Sequence, residues 1–426
     1  MAARTQMALS LGFHIIFAEI GIALPLLMVA AEWRWRRSGD AVYRELARRW
    51  AKGSAVLFAV GAVSGTVLSF ELGLLWPRFM AFAGPIIGMP FSLEGFAFFT
   101  EAIFLGVYLY GWERISPRAH LVAGVIVAVS GAASAVFVIM VNAWMNTPAG
   151  LTMANGRVVA IDPIAGMFNP STLQQAVHML LAAYASTAIA VAGIHAIVLV
   201  RRGDSPLHRR ALMLALAMAI PATILQPVSG DLSARTVARW QPVKLASLEG
   251  QFETVRGAPL RIGGIPDADA AQTRHAIELP RMLSLLAFHD PNATVRGLRA
   301  FPREDWPPIL PVHFGFQIMV GLGTAMAVVM LWSAIVIARR RDIVGHRALL
   351  WAIAIVAPFG FLATEAGWTV TEVGRQPWVV SGILRTSDAV TPMPGLVVPM
   401  LLFALLYLGL SVIVVVFMRS IVRESI

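Results

Sequence analysis

Two histidines, a methionine and a carboxylate interrupt long apolar runs of this 426-residue chain, and all four are residue types that can ligate iron. His14 lies in LGFHIIFAEIGIALP, His178 in QQAVHMLLAAYA, Met319 in FQIMVG, and Glu365 closes the run WAIAIVAPFGFLATE. A His–Met pair saturates a low-spin haem and raises its potential. The plainer alternatives are a buried neutral imidazole bonded to a neighbour and, for one of nineteen methionines, ordinary packing. A carboxyl at membrane depth is costly and usually faces a bundle interior in a functional role. Just beyond Glu365, Gly374-Arg375-Gln376-Pro377-Trp378 combines a helix stop, a planar cation and an interfacial aromatic. That grouping suits holding a cofactor or quinone head at one membrane face. A snorkelling Glu with interfacial punctuation is the competing reading.

Other polar residues suggest proton and substrate chemistry. Glu94 and Glu101 are seven residues apart, so on a helix they share a face about 10 Å apart. Intramembrane carboxylates in such series form proton routes. Glu19, five residues after His14, belongs to that route or bonds to the histidine layer. In a long polar connection, Gln241, Lys244 and Glu249 have the donors and acceptors for a quinol's hydroxyls, although loop charges are commonly just solvated. His313, at a helix start, rivals Met319 as a ligand; His195, near a run of arginines, reads as interfacial.

Nine apolar segments are long enough to carry these residues across a bilayer: 7–31, 53–75, 92–112, 121–145, 173–200, 211–228, 312–338, 348–368 and 397–418. With 58% hydrophobic and 14% charged residues, the composition is that of an all-α polytopic membrane protein. The net charge of +10 sits in short loops, as the positive-inside rule requires, and does not indicate a nucleic-acid partner. The basic loops follow the first, fifth and seventh spans, which places the N-terminus outside and the C-terminus in the cytoplasm. One outer loop, 231–311 between spans six and seven, far exceeds ordinary connections and is expected to be functional within a single domain spanning 1–426. The first apolar run is too long for a cleavable signal's core and reads as an uncleaved first span. Cysteine is absent, so thiolate-held clusters and thioether-linked haem are excluded. By depth, His14, His178, Met319 and Glu365 all fall in the outer half of their spans, and Glu94 falls at the outer start of the third.

In this order and spacing, FHIIFAEIG, GMPFSLEGFAFFTEAIFLGVYLYGWERI, NAWMNTP, VHMLLAAY, VKLASLEGQFET, GGIPD, FQIMVG and EAGWTVTEVGRQPW resemble subunit I of the cytochrome bd-type quinol oxidases over nearly the whole chain. The resemblance implies that His14 and Glu365 bind two high-spin haems, a haem b and a haem d, and that His178 and Met319 hold a low-spin haem b. It ties Lys244 and Glu249 to quinol oxidation and Glu94 and Glu101 to proton transfer. A second large membrane subunit, a small single-helix subunit, dioxygen as oxidant and a bacterial or archaeal cytoplasmic membrane are also implied. Gln317 stands where some members carry an Arg two residues before the ligating Met, and the outer loop is of the short type.

Two other classes compete. A proton-coupled transporter would explain Glu19, Glu94 and Glu101 and would be colourless. A diheme quinol cytochrome b needs paired histidines about thirteen or fourteen residues apart on two helices, which this chain does not have. Haem–copper oxidases need clustered membrane histidines, also absent here.

Overall fold

The computed structural model describes residues 1–155 and 157–423. Four long helices, α1 (Ala2–Ser38), α2 (Ala41–Leu75), α3 (Pro77–Tyr110) and α4 (Pro117–Asn146), lead to a hairpin and the single turn α5 (Pro163–Met167). Then come α6 (Thr172–Arg202), α7 (Pro206–Trp240), the short α8 (Pro242–Leu248) and α9 (Met282–Phe288), and α10 (Ile309–Ala338). The chain closes with α11 (Arg347–Val356), α12 (Phe359–Val373), the turn α13 (Thr386–Ala389) and α14 (Val397–Arg423). Among the described residues nine helical spans are long and apolar enough to cross a membrane, α11 and α12 together making the eighth.

Local chemistry sets the helix ends. Asp40 caps α2 by accepting from the Val42 amide at 3.1 Å, and Ser116 caps α4 by accepting from Ala119 at 3.3 Å. Proline opens α3, α4, α7 and α8, where its missing N–H costs nothing. The eighth span breaks at Ala357-Pro358, where proline cannot continue the hydrogen-bond ladder. The break lies flush on α6: a Cβ at Gly360 would stand 2.4 Å from the Ser186 backbone, and one at Gly193 2.4 Å from Ala357.

The core is built around α6, the most buried span. Ile189, Ala192 and Ala196 pack on Leu212 and Leu216 of α7, Met330 of α10, and Leu350 and Ile353 of α11. A second cluster joins Leu27 and Met28 of α1 to Leu46 and Trp50 of α2. The last helix, α14, is mostly exposed along its apolar length and packs on α1 and α2.

Three boundaries differ from expectation. α7 runs to Trp240 instead of ending at 228, because its last three turns are polar and leave the hydropathic run. α3 begins at Pro77 and carries Pro85 and Pro90 internally, so Glu94 stands seventeen residues inside the helix and not at its start. The long connection is folded: antiparallel pairs join 255–256 to 294–295, 260–262 to 277–279, and 265–267 to 272–274. Its Pro280–Pro311 end contains α9 and two single turns of 3-10 helix.

Candidate haem and quinol site

His14 and His178 are held in the same way. On α1, His14 Nδ1 lies 2.9 Å from Ser64 Oγ of α2, and that hydroxyl donates to the Val60 carbonyl at 3.0 Å. On α6, His178 Nδ1 lies 2.9 Å from Ser229 Oγ of α7, which donates to the Gln226 carbonyl at 2.8 Å. A hydroxyl whose proton is committed to a carbonyl accepts from the ring, so Nδ1 carries the hydrogen and Nε2 keeps its lone pair. This is how a metal-ligating His is oriented by its surroundings. The Gln226 side-chain nitrogen lies 3.2 Å from His178 Nε2 and must withdraw for that nitrogen to ligate.

Each of the four donors also lies over a glycine of a neighbouring helix. A Cβ would stand 3.0 Å from His14 at Gly65, 3.6 Å from His178 at Gly230, 3.0 Å from Met319 Sδ at Gly367, and 3.2 Å from Glu365 Oε2 at Gly12. Glu365 Oε1 is buried without a partner. Buried polar atoms are normally satisfied, so the orphan marks a place for a further group. Glu19, fully buried, neighbours Thr364, Ser186 and Glu365, and so joins the carboxylate side of the layer and not His14. The His14 and His178 imidazoles, the Met319 thioether and the Glu365 carboxylate with its orphaned Oε1 are a donor set that fits haem iron once Gln226 has withdrawn.

Glu94 and Glu101 lie two turns apart on α3. Glu94 accepts from Ser134 of α4 at 3.1 Å, and the buried Glu101 carboxyl lies against Gly131 of the same helix. His195, seven residues from Arg202, is buried between α6 and α7, with Nδ1 2.8 Å from His208 Nδ1. His313 does not compete with Met319: its Nδ1 faces the Leu248 carbonyl at 2.7 Å and its Nε2 the Gly263 carbonyl at 3.1 Å. One turn on, Gln317 accepts from the Gly263 amide and donates to the Arg261 carbonyl, both at 3.0 Å. These two side chains pin the outer loop to α10.

Beneath that loop, Lys244 of α8 is 4% exposed and donates to Asn146 Oδ1 at 2.6 Å. Burial, with the nearby Arg375 guanidinium acting in the same direction and Glu372 opposing, lowers its ammonium to about 7. Glu249 is also buried, which raises its carboxyl to about 8 against the pull of Arg261. Gln241 is buried with both amide atoms unpartnered, and Arg375 is buried with Nε and Nη1 unpartnered. Trp378 is half-buried beneath the Arg385 guanidinium, 4.5 Å from the ring centre. Sequence reasoning missed Ser64 and Ser229, which orient the histidines, and Glu372, which Asn142 and Arg375 hold. Only the seven-residue step from Glu365 hinted at Glu372.

The family model for cytochrome bd terminal oxidase subunit I matches residues 2–426. The putative cytochrome bd menaquinol oxidase subunit I of Bacillus subtilis is 39% identical over 97% of this chain and 94% of its own length. The cytochrome bd ubiquinol oxidase subunit 1 of the same organism is 29% identical over 99% of this chain and 93% of its own. The bd oxidase structure from Geobacillus thermodenitrificans superposes with a TM-score of 0.92 at 38% identity, covering 99% of this chain and 98% of that one. The chain belongs to the subunit I family of the cytochrome bd terminal oxidases. It is a multi-pass, haem-bearing oxidoreductase subunit of a bacterial respiratory chain.

Proposed function

We propose that this subunit oxidises a membrane quinol beneath its outer loop and passes the electrons to dioxygen through three haems held in the outer layer of the bundle. His178 and Met319 hold a low-spin haem b. His14 and a carboxylate of α12 hold a high-spin haem b and a haem d. For that carboxylate α12 offers Glu365, which the resemblance implies, and Glu372, two turns further out. The matched His–Ser–carbonyl arrangements on two separate helix pairs carry this reading, since each commits Nδ1 to a hydroxyl and keeps the Nε2 lone pair for a ligand. When bound, the haems supply one-electron storage and dioxygen reduction.

The chain's own residues do the rest. Gln241, Lys244 and Glu249 bind the quinol head, and neutral Lys244 and ionised Glu249 accept its protons. Arg375, with two unpartnered nitrogens beside Trp378, pairs with anionic haem substituents. Glu101 and then Glu94 pass protons from the cytoplasmic side through the bundle toward the oxygen site. With the N-terminus outside and the C-terminus cytoplasmic, quinol protons leave outside while protons for water enter from inside, separating charge across the cytoplasmic membrane. A second subunit, and a small single-helix one, cover exposed apolar spans.

Pigment extraction from purified His14→Ala, Glu365→Gln and Glu372→Gln oxidases tests the layer. His14→Ala and one of the two carboxylate variants are expected each to lose about one haem while the low-spin haem persists. Full haem content in all three would remove the high-spin assignment.

A further inference from the structure

The motif NAWMNTP has no role in the site described so far, yet it supplies the partner of Lys244. Asn142 and Asn146 lie one turn apart on α4 and face the same way. Both are buried, at 8% and 1% exposure. Asparagine is a poor helix former, so these two are not there to build α4.

Their bonds run in one direction. Lys244 Nζ donates to Asn146 Oδ1 at 2.6 Å. Asn146 Nδ2 then donates to the Asn142 carbonyl at 2.9 Å and to its Oδ1 at 3.2 Å. Asn142 Nδ2 donates to Glu372 Oε1, and Arg375 holds the other Glu372 oxygen. An ammonium needs an acceptor at one end and a carboxylate needs a donor at the other, so both amides have a fixed orientation. Bonds aligned this way polarise one another in a low-dielectric interior.

We propose that Asn146, held by Asn142, is a positioning residue for quinol oxidation: it aims Lys244 at the quinol head and ties the outer loop to the Glu372–Arg375 pair. This rests on the quinol-site reading above. Lys244's other partner, the Thr371 carbonyl, is distant at 3.4 Å, so without Asn146 the side chain has no close acceptor. The charged groups facing Lys244 are Arg375 and Glu372. A carboxylate in place of the Asn146 amide would hold the ammonium in its charged form.

The test uses the complete oxidase in membranes, with decylubiquinol and menadiol as quinol probes and an ascorbate-reduced phenylenediamine dye as a donor that bypasses the quinol site. Asn146→Ala is expected to raise the quinol KM about tenfold or more, the scale of a lost charge-assisted bond. Haem content and dye-supported oxygen uptake should stay within about twofold of wild type. Asn146→Asp is expected to move the acid limb of quinol oxidation up by about one pH unit or more. If Asn146→Ala does not assemble, the Asp variant decides. Unchanged KM and an unmoved limb would overturn the proposal, as would quinol and dye rates falling together. Lys244→Ala run alongside separates the two claims: normal quinol turnover there sinks the quinol site itself, whereas a dead Lys244→Ala beside a normal Asn146→Ala sinks only the positioning role.

Discussion

Replacing Met319 by Leu is expected to abolish the low-spin haem's reduced-minus-oxidised bands and to lower quinol-supported oxygen uptake by about two orders of magnitude or more. Leucine matches methionine closely in volume, and such core exchanges usually cost less than about 1.5 kcal/mol, so the bundle should assemble. What is lost is the thioether lying over Gly367, which with His178 would hold the proposed low-spin haem. The high-spin bands should persist, because His14 and the α12 carboxylates are on other helices. An unchanged low-spin spectrum in Met319→Leu would make Met319 a packing residue.

Lys244→Ala is expected to reduce quinol oxidation about a hundredfold while haem content and dye-supported oxygen uptake stay near wild type. Lys244 sits on α8 outside the spans, packs on Gly374 of α12 and makes no direct contact with His14, His178, Met319 or Glu365, so haem content should survive its loss. Its pH signature follows from its lowered value of about 7. In the wild type the amine becomes neutral, and able to accept a proton, as pH rises through that value, so turnover rises there. Between about 7 and the ordinary lysine value the unfolded chain binds a proton that the native chain does not, so native stability also rises with pH. Both slopes should flatten in Lys244→Ala, and the Glu249 contribution near 8 should remain. Activity against pH and thermal loss of haem absorbance against pH measure the two slopes. An unaltered activity profile would place proton acceptance elsewhere.

The spans could be read from the chain because each is a run of about twenty apolar residues with charged loops between, and hydrophobic burial in a bilayer leaves few other solutions. That criterion failed where helix and hydropathy part. α7 continues through the polar ARTVARW beyond the apolar run, and α3 starts at Pro77 and runs through Pro85 and Pro90, well before the apolar segment at 92–112. The second error carried Glu94 to the wrong depth. A depth for His14, His178, Met319 and Glu365 could be read because depth follows from position along a helix. Their supports could not, because Ser64 and Ser229 are ordinary helix residues until the neighbouring helix is docked. His313 shows the same limit: its partners are backbone carbonyls 65 and 50 residues away, so nothing nearby distinguished a loop fastener from a ligand. The Lys244–Asn146–Asn142–Glu372 chain joins positions 98 and 230 residues apart, which no local pattern encodes.

A reduced-minus-oxidised absorption spectrum of the purified oxidase, with haem counted after extraction, tests most directly whether iron porphyrins are gripped in the outer layer of the bundle. Three haems per complex, with a low-spin b signal and a far-red chlorin band, are the result this arrangement predicts. A colourless protein that carries His14, His178 and Met319 intact would contradict it and return the buried carboxylates to a transporter.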